Sequence, residues 1–261
     1  MAADSASLPV TPLRSAGASA MLEFRGVSKQ FRDGTVAIAG VDLVVTPGEL
    51  VSIVGPSGCG KSTILRIASG LILPSAGVVS LATDRVGYVF QDATLLPWRT
   101  VQANVELLAE LHGLPKNERR RRADEAIDLV GLEGFREHRP RTLSGGMRMR
   151  VSLARALTMS PELFLFDEPF GSLDDISRHR LGDELQLLYL AHRFAGVFVT
   201  HSVTEAVFLA SRVLVMSQRP GQIVGDFPVQ FDYPRPPAVR YNAEFAHLAS
   251  EVSECLRRGE K

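Results

Sequence analysis

Residues 50–65 confine this chain to a narrow set of folds. Leu50-Val51-Ser52-Ile53-Val54 is a short apolar run of the kind that forms a strand buried on both faces. It passes into Gly55-Pro56-Ser57-Gly58-Cys59-Gly60-Lys61-Ser62, which fits G-x-x-x-x-G-K-[ST] at every position. Ser62-Thr63-Ile64-Leu65 then opens a helix. Strand, glycine-rich turn and helix in that order are the context the motif requires. Glycines let backbone N–H groups turn inward around phosphate oxygens, and the helix N-terminus adds positive potential. The motif predicts that Lys61 reaches β- and γ-phosphates and that the Ser62 hydroxyl ligates Mg²⁺.

The rest of the chain alternates between buried strands and helical spacing. Leu163-Phe164-Leu165-Phe166, Gly196-Val197-Phe198-Val199-Thr200, Val213-Leu214-Val215-Met216 and Gln222-Ile223-Val224 read as further strands. Leu22, Phe24 and the Val27 region suggest one near the start, and Val41, Leu43 and Val45 alternate like another. Val101, Val105, Leu108 and Leu111 recur at helical spacing, as do Ala123, Ile127 and Val130. Helical segments are also expected around Glu184–Leu190 and Ala243–Leu256. The pattern predicts an α/β core with a largely parallel sheet, interrupted by a helical subdomain at about 92–157. Residues 1–20, rich in Ala, Ser and Pro, are expected to be disordered, with Met21 as an alternative start. Residues 21–261 read as one domain.

Charge and cysteine content narrow the function classes. Lys+Arg and Asp+Glu both number 29, a net charge of 0, which argues against binding nucleic acid by bulk electrostatics. Arg119-Arg120-Arg121-Arg122 is flanked by Glu118, Asp124 and Glu125, and reads as a solvated helix face. Two cysteines rule out a disulfide scaffold. The longest uncharged stretch, Ile67 to Thr83, carries Pro74 and two glycines and reads as a helix end, a turn and a strand. A membrane role would therefore come through a partner. No secretory signal is visible near the start.

Carboxylates supply the other half of a hydrolytic site. The run Leu163–Phe166 ends in Asp167-Glu168. Alone, that marks a strand leaving the core. With the glycine-rich loop upstream, Asp167 is expected in the magnesium shell and Glu168 beside a water in line with the γ-phosphate. Cys59 lies between Gly58 and Gly60, near Lys61 and a helix N-terminus, both of which favour a reactive thiolate.

Leu143-Ser144-Gly145-Gly146-Met147 narrows the field most, because here the chain resembles the ATP-binding cassette (ABC) family from about residue 22 onward. Its blander reading is an N-cap serine before a flexible pair. The resemblance implies a P-loop NTPase core with an N-terminal antiparallel β subdomain and the inserted helical subdomain. It implies ATP and Mg²⁺ as ligands. Gln91 matches the Q-loop glutamine, a magnesium ligand beside Ser62 and Asp167. Gly171-Ser172-Leu173-Asp174 matches the D-loop, and His201 matches the histidine that touches the γ-phosphate. Lys61, Glu168 and His201 are the implied catalytic set. Phe31 falls where the family stacks an aromatic on adenine, although a lone Phe is more often core. The implied nucleotide contacts are Phe31, Gly55, Pro56, Ser57, Gly58, Cys59, Gly60, Lys61, Ser62, Thr63, Gln91, Ser144, Gly145, Gly146 and Asp174.

Leu95-Leu96-Pro97-Trp98-Arg99-Thr100-Val101 with Asn104-Val105, and Met147-Arg148, are similar to the cassettes of nitrate, taurine and aliphatic sulfonate importers. Met149 departs from them, where Gln is usual. This resemblance implies an ATP-hydrolysing subunit at the cytoplasmic face of the inner membrane, held there by a separate permease. It implies pairing with a second copy, each ATP lying between the glycine-rich loop of one and the Ser144 segment of the other. A solute-binding protein would act indirectly, and nucleic acid is not expected. The alternative is a soluble ABC ATPase without a transport role, but such relatives usually carry two cassettes or a long coiled coil. A non-hydrolysing module is disfavoured because Lys61, Gln91, Glu168 and His201 are all present. Trp98 is read either as a permease contact or as a partly buried loop residue.

Overall fold

The structure is a computed structural model that describes residues 20–259. The expected disorder of residues 1–20 lies outside the described residues except at Ala20. Strands β1 (Leu22–Gln30), β2 (Val36–Val45) and β4 (Ala76–Leu81) form a three-stranded antiparallel sheet in the order β2-β1-β4. A second, six-stranded sheet has the order β5-β6-β7-β3-β8-β9. It contains β3 (Leu50–Val54), β5 (Val86–Val89), β6 (Leu163–Asp167), β7 (Ala195–Thr200), β8 (Arg212–Met216) and β9 (Ile223–Pro228). All neighbours are parallel except β8 and β9. β3, β6 and β7 are buried along their whole lengths, which is why they read as continuous apolar runs. Gly196 on β7 makes room for Leu50: a Cβ there would lie 2.6 Å from Leu50 Cδ1 on β3, so that side chain would have to move.

Helices cover both faces of this sheet. α1 (Lys61–Ala68) and the antiparallel sheet pack on one face through Ile64, Leu65, Leu22 and Leu43. α6 (Asp175–His192), α7 (Val203–Leu209) and α8 (Ala243–Gly259) pack on the other through Leu185, Phe208 and Phe245. α6 is much longer than the expected 184–190 segment. Asp174 caps its start, accepting from Ser177 N, and Arg193 ends it at φ 49°. No helix among the described residues is long and apolar enough to cross a membrane.

Between β5 and β6 lie α2 (Val101–Val105), α3 (Leu107–Leu111), α4 (Lys116–Leu129) and α5 (Gly145–Leu157), around their own apolar cluster. The 101–111 spacing is not one uninterrupted apolar stripe. The helix breaks at Glu106, and Val101, Val105 and Ala109 are the fully buried apolar positions. Leu111 falls off that i, i+4, i+8 stripe and is 72% exposed. The arginine run lies on α4 and meets acids at three of its four positions. Arg121 reaches Glu118 and Glu125 at 2.7 Å, Arg122 reaches Glu118 at 2.7 Å, and Arg119 reaches Glu106 at 3.2 Å.

Candidate active site

Parallel register brings the C-terminal ends of three adjacent strands to one edge. Val54 pairs with Thr200, and Asp167 with Val199, so the segments that follow β3, β6 and β7 emerge side by side. From β3 springs the loop Gly55–Gly60. Gly58 has φ +75° and Gly60 +112°. A Cβ on Gly60 would lie 2.6 Å from Ile38 Cγ2 and 2.8 Å from Ala37 O, so the loop seats against β2 only without a side chain there. The first N–H groups of α1 have no intrahelical acceptors and face this loop. Lys61 is buried, and its Nζ donates to Gly55 O at 2.8 Å and Pro56 O at 3.0 Å.

The carboxylates converge on the same loop. Ser62 Oγ donates to Asp167 Oδ1 at 2.7 Å, and Tyr88 Oη donates to Oδ2 at 3.1 Å. Burial and the nearby Asp167 charge push the Tyr88 phenol well up, so it stays a donor. A hydroxyl beside a carboxylate is an oxygen-only donor set that suits a hard divalent cation sharing phosphate and water oxygens. Glu168 has φ 45°, a left-handed backbone that costs a β-unbranched side chain on the order of 1 kcal/mol. Its N–H donates to Val199 O at 3.0 Å and its C=O accepts from Gly171 N at 3.1 Å, which hold it there. Glu168 Oε1 lies 3.6 Å from Lys61 Nζ, and Oε2 lies 3.0 Å from His201 Nδ1. Lys61, Glu168 and His201 thus form a connected row. A cation, a carboxylate and an imidazole beside a phosphate-binding loop can together orient and deprotonate a water.

Other expected residues lie farther out. Gln91 is exposed after β5, and its Nε2 is 3.7 Å from where a Cβ on Gly171 would be. No hydrogen bond joins it to Ser62 or Asp167 among the described residues. Phe31, at the turn between β1 and β2, is 40% exposed with Lys29 Nζ 5.6 Å from its ring centroid. Ser144, Gly145 and Gly146 begin α5, with Ser144 Oγ accepting from Met147 N at 3.2 Å. Ser144 and Gly146 line a separate cleft with Ser177 and Arg180, and no residue of the 55–63 loop lines it. One chain therefore does not bring Ser144 and Lys61 into a common cleft. Gly145 leaves room for Leu173, whose Cδ2 would be 3.1 Å from an added Cβ. Asp174 spends both carboxylate oxygens on Ser177, on its N–H at 2.9 Å and its hydroxyl at 2.7 Å. Those bonds hold its carboxyl below the usual range.

Two local expectations are corrected. Cys59 is not a thiolate: it is buried, and desolvation pushes its thiol up despite the opposing charge of Lys61. Trp98 is not a partly buried loop residue, because 69% of it is exposed. The loop under it is tied to one buried amide. Buried Asn104 accepts from Leu96 N at 2.7 Å and donates to Leu96 O, Arg99 O and Thr100 O at 2.9–3.2 Å.

Sequence reasoning missed several supports. Tyr88 carries no motif that marks it as an Asp167 partner. Arg155, buried on α5, donates to Ala93 O, Thr94 O and Thr94 Oγ1, each at 3.0 Å, and so fixes the segment after Gln91. After β8, Arg219 donates through Nε at 3.1 Å and Nη2 at 2.7 Å to Gly58 O. Gly221 bonds Ala37 O and Ala39 N, and a Cβ on it would be 2.1 Å from Cys59 O. The only local signal for this contact is the Arg219-Pro220-Gly221 turn itself.

Comparison with known proteins agrees with this geometry. The ABC transporter family profile matches residues 38–171. The aliphatic sulfonates import ATP-binding protein SsuB of Rhodopseudomonas palustris is 44% identical over 91% of this chain and 84% of its own. The taurine import ATP-binding protein TauB of Yersinia pestis is 42% identical over 81% of this chain and 85% of its own. A dimeric bacterial ABC transporter cassette superposes with TM-score 0.71 at 32% identity, over 81% of this chain and all of that one. The same cassette, in a dimeric post-hydrolysis state with ADP and Pi, matches equally.

Proposed function

This chain belongs to the ABC transporter family and is an ATP-binding, ATP-hydrolysing cassette, and from that premise we propose that it powers import of a small anionic solute through a separate permease. The observation that carries the hydrolytic part is the row Lys61–Glu168–His201 beside the Ser62–Asp167 pair. Lys61 meets the β- and γ-phosphate oxygens. Ser62 and Asp167, joined by Gln91, would hold Mg²⁺, which when bound would supply charge neutralisation to the phosphates. Glu168 takes the proton of the attacking water, and His201 holds Glu168 through Nδ1 while its other ring nitrogen faces the γ-phosphate. Backbone N–H groups of the glycine-rich loop, with Thr63, cradle the phosphates, and Phe31 stacks on adenine.

A second copy completes the site. Ser144, Gly145 and Gly146 at its α5 start cover the nucleotide bound to the first, and Asp174 sits at the junction. The separate cleft around Ser144 supports this division. ATP closes the pair, hydrolysis opens it, and the motion passes to the permease through the exposed Trp98 loop. The names of the SsuB and TauB relatives support an aliphatic sulfonate or taurine as cargo, and a nitrate-like solute is the related choice; a solute-binding protein would deliver it. The cassette then works at the cytoplasmic face of the membrane, peripheral through the permease. Residues 21–261 form its ATPase domain, with the helical subdomain at about 92–157.

The test has two levels. Purified protein hydrolyses ATP and Lys61→Ala does not. Co-expressed with a permease of the sulfonate, taurine or nitrate importer type, the protein co-purifies with membranes, and uptake of the matching solute depends on it. Wild-type turnover in Lys61→Ala would overturn the hydrolytic reading. Strong ATPase activity with no permease association would favour the soluble, non-transport alternative.

A further inference from the structure

Next to the Lys61–Glu168–His201 row lies a charge pair outside every sequence motif. Arg178, on the first turn of α6, donates through Nη2 to Leu173 O at 3.0 Å and through Nη1 to Asp175 at 3.2 Å. Its Nε is 3.2 Å from Glu205 Oε1 on α7, with the two side chains 23% and 13% exposed. Glu205 Oε2 accepts from Thr200 Oγ1 at 2.6 Å, and that same hydroxyl oxygen accepts from Ser202 N at 3.0 Å. Glu205 N in turn donates to Ser202 Oγ at 3.3 Å. Thr200, before His201, is thus bonded to the Glu205 carboxylate, and Ser202, after it, is bonded to that same threonine hydroxyl and to the Glu205 backbone, while the carboxylate pairs with Arg178, which holds Leu173 O in the turn Gly171–Asp174.

The connection continues outward. Leu173, whose carbonyl Arg178 holds, packs against the glycine that opens α5. An unbroken series of contacts therefore runs from the α5 start through Leu173, Arg178 and Glu205 to the Thr200–Ser202 turn, and from His201 to Glu168. A half-buried ion pair is a costly way to brace two helices, because an apolar pair packs them without desolvating charges. What the guanidinium offers here is reach: its Nη2 hydrogen-bonds Leu173 O while its Nε faces Glu205 Oε1 in a 3.2 Å ion pair outside hydrogen-bond geometry, a span over two groups that neither a lysine nor an apolar side chain reproduces.

We propose that Arg178 and Glu205 are positioning residues that lock the His201 turn to the Gly171–Asp174 turn, so that docking of a second copy on the α5 start sets His201 and Glu168 for hydrolysis. This rests on the ATPase and shared-site reading above. Neither residue touches nucleotide. Both act on the chemical step through His201, and they act as one unit.

A double-mutant cycle on the full chain tests it, using Glu205→Gln, Arg178→Gln and the double variant. Glu205→Gln keeps an acceptor for Thr200 and removes the charge facing Arg178. Each single change lowers kcat roughly tenfold and leaves KM for ATP within about twofold, and the double variant is no worse than about tenfold. Arg178→Lys restores less than half of the lost kcat, because its ammonium cannot span both acceptors. Thermal midpoints and binding of a fluorescent ATP analogue stay near wild type. If Arg178→Gln is too unstable to assay, Arg178→Lys takes its place in the cycle. Losses that multiply to about a hundredfold in the double variant, a change in KM alone, or unchanged kcat would overturn the coupling while wild-type hydrolysis stands. Absence of ATPase activity in the wild type would overturn the parent reading, and this inference with it.

Discussion

Tyr88 Oη holds Asp167 Oδ2 at 3.1 Å from the side opposite Ser62, which holds Oδ1 at 2.7 Å. The carboxylate assigned to the metal is therefore fixed on both oxygens before any ligand enters. Tyr88→Phe keeps the ring stacked on Phe90, 4.2 Å between centroids, and removes only the hydroxyl. A hydrogen bond to an ionised carboxylate is worth about 1.5 kcal/mol, so half-maximal Mg²⁺ for hydrolysis rises roughly tenfold while kcat at saturating Mg²⁺ holds. A magnesium titration of ATPase activity checks this, and an unchanged midpoint would remove Tyr88 from the site.

Glu168→Gln keeps shape and most hydrogen bonding but removes the base. Hydrolysis falls by about 10²–10⁴-fold with ATP binding nearly intact. ATP then stays trapped and stabilises the shared-site dimer by mass action. Light scattering after size-exclusion chromatography should show a monomer without nucleotide and a dimer with ATP. Adding Ser144→Arg should suppress the dimer. A mutant that binds ATP yet never pairs argues against the shared site.

The loop at 95–100 separates stability from coupling. Asn104→Ala leaves Leu96 N and Arg99 O without their side-chain partner, while Leu96 O and Thr100 O keep the backbone donors Arg99 N and Asn104 N, and costs about 2 kcal/mol in chemical denaturation. Trp98→Ala changes a mostly exposed ring and shifts stability by less than about 0.5 kcal/mol. It should nevertheless weaken permease co-purification and transport while basal ATPase activity remains. Equal losses in all assays would show that Trp98 serves folding instead.

Burial at Cys59 reverses the reactivity expected from its neighbours. In native protein, iodoacetamide should label the half-buried Cys255 first, and Cys59 should lag by about tenfold or more until the fold opens. Peptide mass spectrometry over time reads both sites. Cys59 labelling ahead of Cys255 would mean that the loop is more open than its packing on Gly55 implies.

Local order explains what could be read from residues alone. β3, β6 and β7 are buried on both faces, so each is a bare apolar run, and the chemistry sits where each run ends. Lys61 is legible from the glycine-rich motif, Asp167 and Glu168 from that rule together with the loop upstream, and His201 only from the family resemblance. Supports that cross the fold left no such trace: Tyr88 and Asp167 are separated by 79 positions, Arg155 and Thr94 by 61, and Arg219 and Gly58 by 161. Cys59 misled for a related reason. Lys61 is visible beside it in the sequence, whereas the enclosure that dominates its thiol comes from the packed fold. Leu111 misled because helical spacing names a stripe without saying which turn of it leaves the core.

The contact between the turn after β8 and the phosphate-binding loop has a consequence for anyone recombining such cassettes. Arg219 grips Gly58 O, and Gly221 leaves no room for a side chain above Cys59 O, so two stretches far apart in the gene are cut to one another's shape. A chimera joined just after His201 would import a foreign turn against a native loop. Its ATP affinity would suffer even though every recognisable motif was intact. Joining after Gln222 keeps lock and key from the same parent, and leaves β9 and α8 as the exchangeable part.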